Sequence, residues 1–348
     1  MTAPASQYLE GLWYLAAISH EVRRGSMLRR ILFGEPFVIG RTGDRSVFAL
    51  RDHCPHRGAP LSAGRLVGDD AASIECPYHA WTFSAADGRC VSVPSLPGDD
   101  RRDCSVIKVA RYSLHEANGL IWIYRGDGKP ALPPPEIGMP EAFMPKTVTL
   151  VETEGPFDEA VIGLVDPAHT PSVHRLWWWR EGASRHDKTK SFEPSPLGFT
   201  MRAHAPSSNT LIYKAIGGAP TTEIEFRLPA LRLEHICTKT RRMLALTAMT
   251  PGEAGKTRIV HLLYWDFAIF SIAQPLAQRM ADDFLKQDGD ILRRQNENLA
   301  LAAHRPLFLG DADEPAKWYL ALKKAWIDSG AAGGFVNPLS PARLRWRT

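Results

Sequence analysis

Two short segments of the sequence each carry one cysteine and one histidine at a spacing that suits metal binding. Cys54 and His56 lie in "CPHRGAPL", and Cys76 and His79 lie in "CPYHAW". Thiolate and imidazole are ligands of tetrahedral zinc, and the same four groups can hold an iron–sulfur cluster in which two cysteines bind one iron and two histidines the other. Because each segment supplies one residue of each kind inside a β-like region, the spacing favours the iron–sulfur cluster over a zinc finger.

A second pattern, "DPAHTPSVH", places Asp166, His169 and His174 close together in the sequence. Histidines five positions apart point about 140° away from each other on a regular helix, so they converge only if Pro171 breaks that helix. Two histidines and a carboxylate on one face typically hold a mononuclear iron that activates dioxygen. Asp166 followed by Pro167 also fits a helix N-cap with proline at the first helical position. The segment alone leaves both interpretations open.

The elements around these segments predict an α+β chain. Residues 1–128 are mainly short β-like runs separated by turn signals, such as "LWYLAAI", "EPFVIG" and "LIWIYR", which predicts an all-β first domain. The proline-rich segment 129–145 predicts a stiff extended linker. Residues 146–348 mix strand-like runs with helices. The clearest helix covers about 272–303, although Gly289 weakens its middle.

Composition narrows the class of protein further. The 348 residues carry 42 basic and 38 acidic side chains spread along the chain, and no long basic run favours nucleic-acid binding. No apolar stretch approaches the ~20 residues that span a bilayer, and no signal-peptide pattern opens the sequence. Five cysteines, an odd number, indicate metal binding in a reducing compartment rather than disulfides. We therefore expect a soluble, cytoplasmic protein.

Taken together, the motifs resemble the catalytic (α) subunits of Rieske non-heme iron oxygenases over nearly the whole chain. The closest likeness is to the vanillate and dicamba O-demethylase type, which shares the length and the "WYLA" opening. Ala59 and Tyr78 stand where membrane-anchored Rieske proteins carry a disulfide-forming cysteine pair. The resemblance implies an N-terminal all-β Rieske domain, followed by a catalytic domain of antiparallel sheet plus helices that is helix-grip-like.

The same resemblance implies two metal cofactors per chain. One is a [2Fe–2S] cluster, with the ligands Cys54, His56, Cys76 and His79. The other is a mononuclear Fe(II) held by His169, His174 and an aspartate on a long C-terminal helix. In the family this aspartate follows Glu or Gln and precedes Gln, which fits Asp288 in "QDGDILRRQ"; Asp290 lies about 200° further around the helix. Many relatives have asparagine where this chain has Gly163, and what that change does is left open.

Electron delivery in the family depends on neighbouring chains and a separate protein. A head-to-tail homotrimer places each cluster beside a neighbour's iron, and the resemblance implies that Asp166 links His169 to His79 of the adjacent subunit. Because no flavin or nicotinamide fingerprint is visible in the sequence, we expect an NAD(P)H-dependent reductase, with or without a ferredoxin, to supply electrons.

The predicted activity is that of an oxygenase component that hydroxylates or O-demethylates a small aromatic or apolar compound. Trp177, Trp178 and Trp179 follow the second histidine and fit an aromatic-lined pocket, or equally an ordinary core. Two alternatives stay open. One is the α subunit of a ring-dihydroxylating dioxygenase, and the other is a Rieske electron-transfer protein without catalytic iron.

Overall fold

The computed structural model describes residues 8–126, 128–174, 186–206, 216, 218–253, 255–267, 273–301, 306–330 and 333–348. The chain divides into two compact units, Met1–Pro135 with Gly252–Ala254 and Glu136–Pro251 with Gly255–Thr348. Within the described ranges, no helix is both long and apolar enough to cross a membrane. The three tryptophans 177–179 lie outside the described residues.

The first unit is built from short antiparallel strands, as its β-like runs predict. Its three sheets have the orders β1-β11-β10, β2-β3-β4-β9 and β5-β6-β7-β8. The strands are β1 Leu12–Ile18, β2 Ser26–Leu32, β3 Glu35–Arg41, β4 Val47–Arg51, β5 Arg65–Val67, β6 Ser73–Glu75, β7 Thr82–Ser84, β8 Cys90–Ser92, β9 Arg111–Tyr112, β10 Leu114–Ala117 and β11 Leu120–Arg125.

The core of this unit surrounds the two segments that carry the cysteine and histidine pairs. Cys54 follows β4, and Cys76 opens the turn between β6 and β7. Both side chains are buried in one apolar cluster, whose other members include Val38, Leu50, Leu61, Ile74 and Phe83. The strands therefore hold the two turns against a common core.

The second unit contains one eight-stranded antiparallel sheet in the order β12-β18-β17-β16-β15-β14-β13-β19. Its strands are β12 Thr147–Glu154, β13 Asp187–Ser195, β14 Gly198–His204, β15 Thr221–Arg227, β16 Leu231–Cys237, β17 Arg242–Pro251, β18 Lys256–Trp265 and β19 Ala342–Arg347. The helices bounded within its described residues are α1 Phe157–Val165, α2 Thr170–Val173, α3 Gln274–Leu299 and α4 Glu314–Asp328. The two units together confirm the predicted α+β fold class.

Helix α3 covers β12, the strand at one edge of the large sheet. Gln278 accepts a hydrogen bond from the backbone N–H of Val148 at 3.0 Å and donates one to its carbonyl at 2.9 Å. These are the two bonds that a further strand would make. Near the other end of the helix, Asn296 donates to the carbonyl of Glu154. The edge strand is thereby protected from pairing with another chain, and the helix is fixed along its length.

Gly289 has a packing role in this helix. A Cβ atom at this position would lie 2.6 Å from Cγ1 of Val151 on β12. The glycine that weakens the helix in isolation therefore allows it to approach the sheet closely.

Helix α1 is anchored at its start. The carboxylate of Asp158 accepts hydrogen bonds from the hydroxyl of Tyr319 at 2.5 Å and from Nζ of Lys323 at 2.6 Å, both on α4. Since α1 leads directly into the histidine segment, this contact fixes where that segment begins.

Candidate metal centres

The two cysteine–histidine segments of the first unit adopt the same backbone turn. The N–H of Cys54 donates to the carbonyl of Ala59, and the N–H of Gly58 donates to the carbonyl of Cys54, both at 2.8 Å. The turn after Cys76 repeats this pattern with Trp81 and Ala80, at 2.8 and 3.1 Å. Gly58 and Ala80 occupy equivalent positions, and both have a left-handed backbone, with φ of 77° and 55°.

The four side chains divide into a buried pair and a more accessible pair. The thiols of Cys54 and Cys76 belong to residues 1% and 2% exposed, and both are free. The rings of His56 and His79 are partly buried, with centroids 4.6 Å apart. This division suits a [2Fe–2S] cluster with its thiolate-bound iron inside and its imidazole-bound iron towards solvent.

Burial affects the protonation of these ligands. Burial raises the pKa of the Cys54 thiol, and the neighbouring Cys76 raises it further. Burial, together with the nearby His56 and Arg57, lowers the pKa of His79. A neutral imidazole is the form that binds a metal. The indole of Trp81 stacks on the ring of His56, with centroids 4.6 Å apart and planes 8° apart, and so fixes its orientation.

In the second unit, the histidines of "DPAHTPSVH" flank a single helical turn. Helix α1 ends at Val165, and Asp166 has an extended backbone with φ −68° and ψ 116°. His169 and His174 are the N-cap and C-cap residues of α2. Pro171 lies in the first turn of α2, where the missing N–H costs no hydrogen bond. The expected bend therefore lies before α2, at Asp166, and Pro171 helps to start the short helix instead of breaking a long one.

The structure brings His169, His174 and Asp288 together. One ligand atom of each lies within 4.8 Å of those of the other two. Oδ1 of Asp288 is 3.3 Å from Nε2 of His174 and 3.7 Å from Nε2 of His169. Both histidines thus present Nε2 to the carboxylate, an arrangement in which two imidazoles and an aspartate can share one ion.

Each histidine ring is held by a different neighbour. Nδ1 of His169 donates to the carbonyl oxygen of Asp166 at 2.7 Å, which leaves Nε2 unprotonated and available to a metal. The ring of His174 stacks on Phe284 with a centroid distance of 3.6 Å. Phe284 precedes Asp288 by one helical turn on α3, so that helix supplies both a predicted ligand and a support for the His174 ring. Sequence reasoning missed Phe284 as a support for the His174 ring. The only sequence signal for this role is the i, i+4 spacing of Phe284 and Asp288.

The electrostatics of this group also fit a cation. Burial lowers the pKa of His174 to about 3, with His169 contributing next. Burial raises the pKa of Asp288 to about 6, against the charges of His169 and Arg232, which lower it. Within the described chain, neither ring nitrogen of His174 has a hydrogen-bond partner although both are buried. A divalent ion would satisfy Nε2 and neutralise the partly buried carboxylate of Asp288.

A cavity of about 840 Å³ adjoins the group, and both His169 and Asp288 line it. Its remaining wall comes from one face of the large sheet and from α1, α2 and α3. Most of the lining is apolar, including Met201, Ile224, Phe226, Met243, Leu263 and Phe284. A cavity of this size and character can enclose a small aromatic molecule.

Asp166 and Gly163 are the two remaining positions singled out in the sequence. Oδ1 of Asp166 accepts a hydrogen bond from the N–H of Ala168 at 2.7 Å, while Oδ2 lies 4.0 Å from Nδ1 of His169. Gly163 lines the cavity, and a Cβ atom there would lie in ordinary contact with Cδ2 of Leu292, at 3.5 Å. The position therefore has room for a small side chain.

Comparison with known proteins gives a family match for the first part of the chain and relatives that cover most of it. The model of the Rieske [2Fe-2S] domain matches residues 12–112. The oxygenase component of dicamba O-demethylase from Stenotrophomonas maltophilia is 31% identical over 262 residues, which is 73% of this chain and 72% of that protein. A crystal structure of dicamba monooxygenase bound to dicamba covers 92% of this chain and 98% of its own, with a TM-score of 0.70 and 23% identity, a likeness of fold.

Other relatives are longer proteins. Chlorophyllide a oxygenase from Chlamydomonas reinhardtii is 28% identical over 285 residues, which is 78% of this chain. The chain spans only 40% of the length of that protein, and 54% of its counterpart from Arabidopsis thaliana.

Proposed function

The chain belongs to the Rieske non-heme iron oxygenase family, and we propose that it is an oxygenase component that hydroxylates or O-demethylates a small aromatic or apolar compound. The observation that carries this proposal is the convergence of His169, His174 and Asp288 beside a largely apolar cavity. An electron carrier without catalytic iron has no use for such a group or for such a cavity.

The proposed cofactors are a [2Fe–2S] cluster on Cys54, Cys76, His56 and His79, and a mononuclear ferrous iron on His169, His174 and Asp288. When bound, the cluster supplies electrons one at a time and the iron supplies dioxygen activation. The apolar walls of the cavity exclude water and hold the substrate beside the ligands, which favours reaction over release of reduced oxygen.

The overall reaction fixes what else the system needs. O-demethylation consumes the methoxy compound, O₂, two electrons and two protons, and yields the hydroxy compound, formaldehyde and water. Hydroxylation of a C–H bond has the same demand for O₂, electrons and protons, and yields an alcohol or phenol and water. Since the sequence has no flavin or nicotinamide fingerprint, we propose a separate NAD(P)H-dependent reductase, with or without a ferredoxin, as the electron source. The free cysteines support a reducing, cytoplasmic location.

We also propose that the working form is a head-to-tail homotrimer. In such a trimer Asp166 bridges His169 of one chain and His79 of the next. Its carboxylate, whose side chain is 39% exposed, is accessible for a second partner. A carboxylate that contacts two metal-bound imidazoles fixes both rings and shortens the electron path.

Metal content and product analysis test the proposal together. We expect three irons per chain in the anaerobically purified protein, and two after His169→Ala with the visible iron–sulfur spectrum retained. With ¹⁸O₂, a reductase and a panel of methoxyarenes, mass spectrometry should detect one labelled oxygen in a hydroxylated product, or formaldehyde with the demethylated one. Two irons in the wild type would instead support an electron carrier. A diol with two labelled oxygens would support the ring-dihydroxylating alternative.

A further inference from the structure

Two of the cysteines in the first unit lie on adjoining segments and belong to neither predicted metal site. Cys90 is the first residue of β8, and Cys104 opens the short helical turn Cys104–Val106. Backbone hydrogen bonds join the two segments. The N–H of Cys90 donates to the carbonyl of Ile107 at 2.9 Å, and the N–H of Ile107 donates to the carbonyl of Cys104 at 3.0 Å. This pairing holds the two cysteines next to each other.

The side chains of these two cysteines contact each other. Sγ of Cys104 lies 3.7 Å from the carbonyl oxygen of Cys90, to which it donates a weak hydrogen bond. Burial first, and then the charge and hydrogen bonding of the Cys104 thiol, raise the pKa of Cys90 to about 12. Both cysteines are free in the structure. The two sulfur atoms are therefore close neighbours that no covalent bond joins.

The two thiols differ in their access to solvent. Cys90 is 2% exposed and packs in the apolar cluster that also contains Cys54 and Cys76. Cys104 is partly exposed, and it packs against the outside of that cluster. It also lines a small cavity of about 370 Å³. A small oxidant in solution therefore meets Cys104 before it meets Cys90 or either predicted cluster cysteine.

The chain between the two cysteines can accommodate a bond between them. Residues 93–103 contain neither strand nor helix, and most of them are exposed. A disulfide brings its sulfur atoms to about 2.0 Å from each other. Since an exposed loop tolerates small shifts of its backbone, it can follow the movement of Cys104 that this bond requires, while Cys90 stays in the core.

We propose that Cys90 and Cys104 form a reversible disulfide in the presence of hydrogen peroxide, with Cys104 as the first site of attack. The Cys104 sulfur attacks one peroxide oxygen, so that an S–O bond forms, the O–O bond breaks and water leaves. The Cys90 sulfur then attacks the sulfur of this sulfenic acid. An S–S bond forms, the S–O bond breaks, and the Cys90 proton leaves in a second water. Two thiols and one peroxide thus give one disulfide and two waters.

A pair of this kind suits a reducing compartment. Redox-sensing cysteines are accessible and lie next to a second cysteine that resolves the sulfenic acid, and thiol reductants restore both. Such transient disulfides occur where structural disulfides do not persist. Each bond consumes one peroxide outside the core that contains Cys54 and Cys76. Neither Cys90 nor Cys104 takes part in the proposed oxygenation, so the disulfide is independent of the proposed function.

Peptide mapping tests this proposal, because trypsin places the five cysteines in five different peptides. Cys90 lies in peptide 90–101 and Cys104 in peptide 103–108. The cluster-containing protein is treated anaerobically with a small excess of hydrogen peroxide, alkylated with N-ethylmaleimide in acid and digested. We expect peptides 90–101 and 103–108 to be joined, at least about tenfold more abundantly than any other pair of cysteine peptides. The visible iron–sulfur spectrum should be retained, and dithiothreitol should separate the two peptides.

Cys237 on β16 is the control in the same sample. Its side chain is also partly buried. Burial raises the pKa of its thiol, and the charges that act on that thiol belong to Arg242, Asp266 and Glu223. Because none of these groups is a thiol that could resolve a sulfenic acid, we expect Cys237 to form no disulfide.

Two serine variants separate the roles of the two thiols. In Cys104→Ser we expect Cys90 to remain alkylated, because the accessible site of attack is gone. In Cys90→Ser the sulfenic acid on Cys104 has no neighbouring thiol to resolve it, so dimedone should label peptide 103–108. A Cys104 that dimedone does not label in this variant would show that peroxide does not attack there, and would overturn the proposal.

The wild type by itself also decides the question, whether or not the variants fold. Alkylated Cys90 and Cys104 after peroxide treatment would overturn the proposal. So would linkage of either residue to Cys54 or Cys76 with loss of the visible spectrum, because the reactive thiols would then be those of the cluster. A joined pair of peptides 90–101 and 103–108 with the spectrum intact would support it.

Discussion

Asp166 contacts the histidine that follows it mainly through its main chain. Its carbonyl accepts the Nδ1–H of His169 at 2.7 Å, and its carboxylate accepts the N–H of Ala168. The part of the carboxylate that this bond does not use is partly exposed. The structural and electron-transfer interpretations of this residue are therefore compatible, because they use different atoms.

Asp166→Asn separates these two roles. The amide oxygen can still accept the Ala168 N–H, so we expect both metals to remain bound. Loss of the negative charge should slow re-oxidation of the reduced cluster about 10- to 100-fold in rapid-mixing spectra with substrate and O₂. Asp290→Asn, an exposed carboxylate on α3, is the control. A normal re-oxidation rate in Asp166→Asn would show that this carboxylate is not on the electron path.

His261 makes a pH-dependent contribution to stability. Burial lowers the pKa of the folded ring to about 4, while an unfolded histidine titrates at about 6.5. Between these values the unfolded chain binds the proton and the folded chain does not, so lowering the pH through this window destabilises the fold. The unfolding free energy of the wild type should decrease as the pH falls from 6.5 to 4. In His261→Asn we expect this decrease to be smaller by up to about 1.4 kcal/mol per pH unit. Urea unfolding across this pH range measures the unfolding free energy of both proteins. Parallel curves of unfolding free energy against pH would contradict the prediction.

At the scale of elements, two helices position the three-residue group against the sheet. Helix α1 is tied to α4 through Asp158, and α3 is tied to β12 through Gln278 and Asn296. Each helix also contains a glycine, Gly163 in α1 and Gly289 in α3. Glycine costs both helices stability, but the packing around the two positions differs.

Alanine at these two positions should have opposite effects. Gly163→Ala places a Cβ in ordinary contact with Leu292 and should stabilise the protein by about 0.5–1 kcal/mol. Gly289→Ala forces a Cβ within 2.6 Å of Val151 and should cost about 1–3 kcal/mol. It should also lower iron retention, since Asp288 is the adjacent residue. Chemical unfolding and iron analysis measure both effects. Equal stability changes in the two variants would mean that packing at Gly289 is not limiting.

At the scale of the whole molecule, the two metal sites belong to separate compact units of the chain. The first unit carries the four predicted Rieske ligands, and the second carries the group of His169, His174 and Asp288. If the trimer is head-to-tail, the functional pair is formed between chains, and neither site of one chain is sufficient.

Mixed trimers test that arrangement. We expect a His79→Ala chain and a His169→Ala chain to be inactive alone and to regain part of the wild-type activity when co-expressed, because an intact cluster then faces an intact iron site across some interfaces. Co-expression of His169→Ala with Asp288→Ala, which damages the same site twice, is the control and should restore nothing. Inactive mixed trimers of confirmed composition would place electron transfer within one chain.

The sequence determined the features of this protein that depend on local order. The two turns that carry the predicted cluster ligands are short: Cys54 and His56 span three consecutive residues, and Cys76 and His79 span four. Three of the β-like runs, "LWYLAAI", "EPFVIG" and "LIWIYR", coincide with β1, β3 and β11, because strand-forming residues bounded by turn signals are a local feature of the sequence. Gly58 and Ala80 share a left-handed backbone because they occupy equivalent positions in these two turns.

Only the tertiary structure decided which distant groups meet. Asp288 lies more than 110 residues beyond His174 and reaches it because α3 packs closely on β12 through Gly289. Arg232, Thr247 and His261 line the cavity side by side only in the register of three paired strands, and shifting one strand by a single residue would turn its side chain away from the cavity. Register and helix packing are long-range properties, so the sequence supplied the ligand types and the fold determined the shape and charge of the cavity beside them.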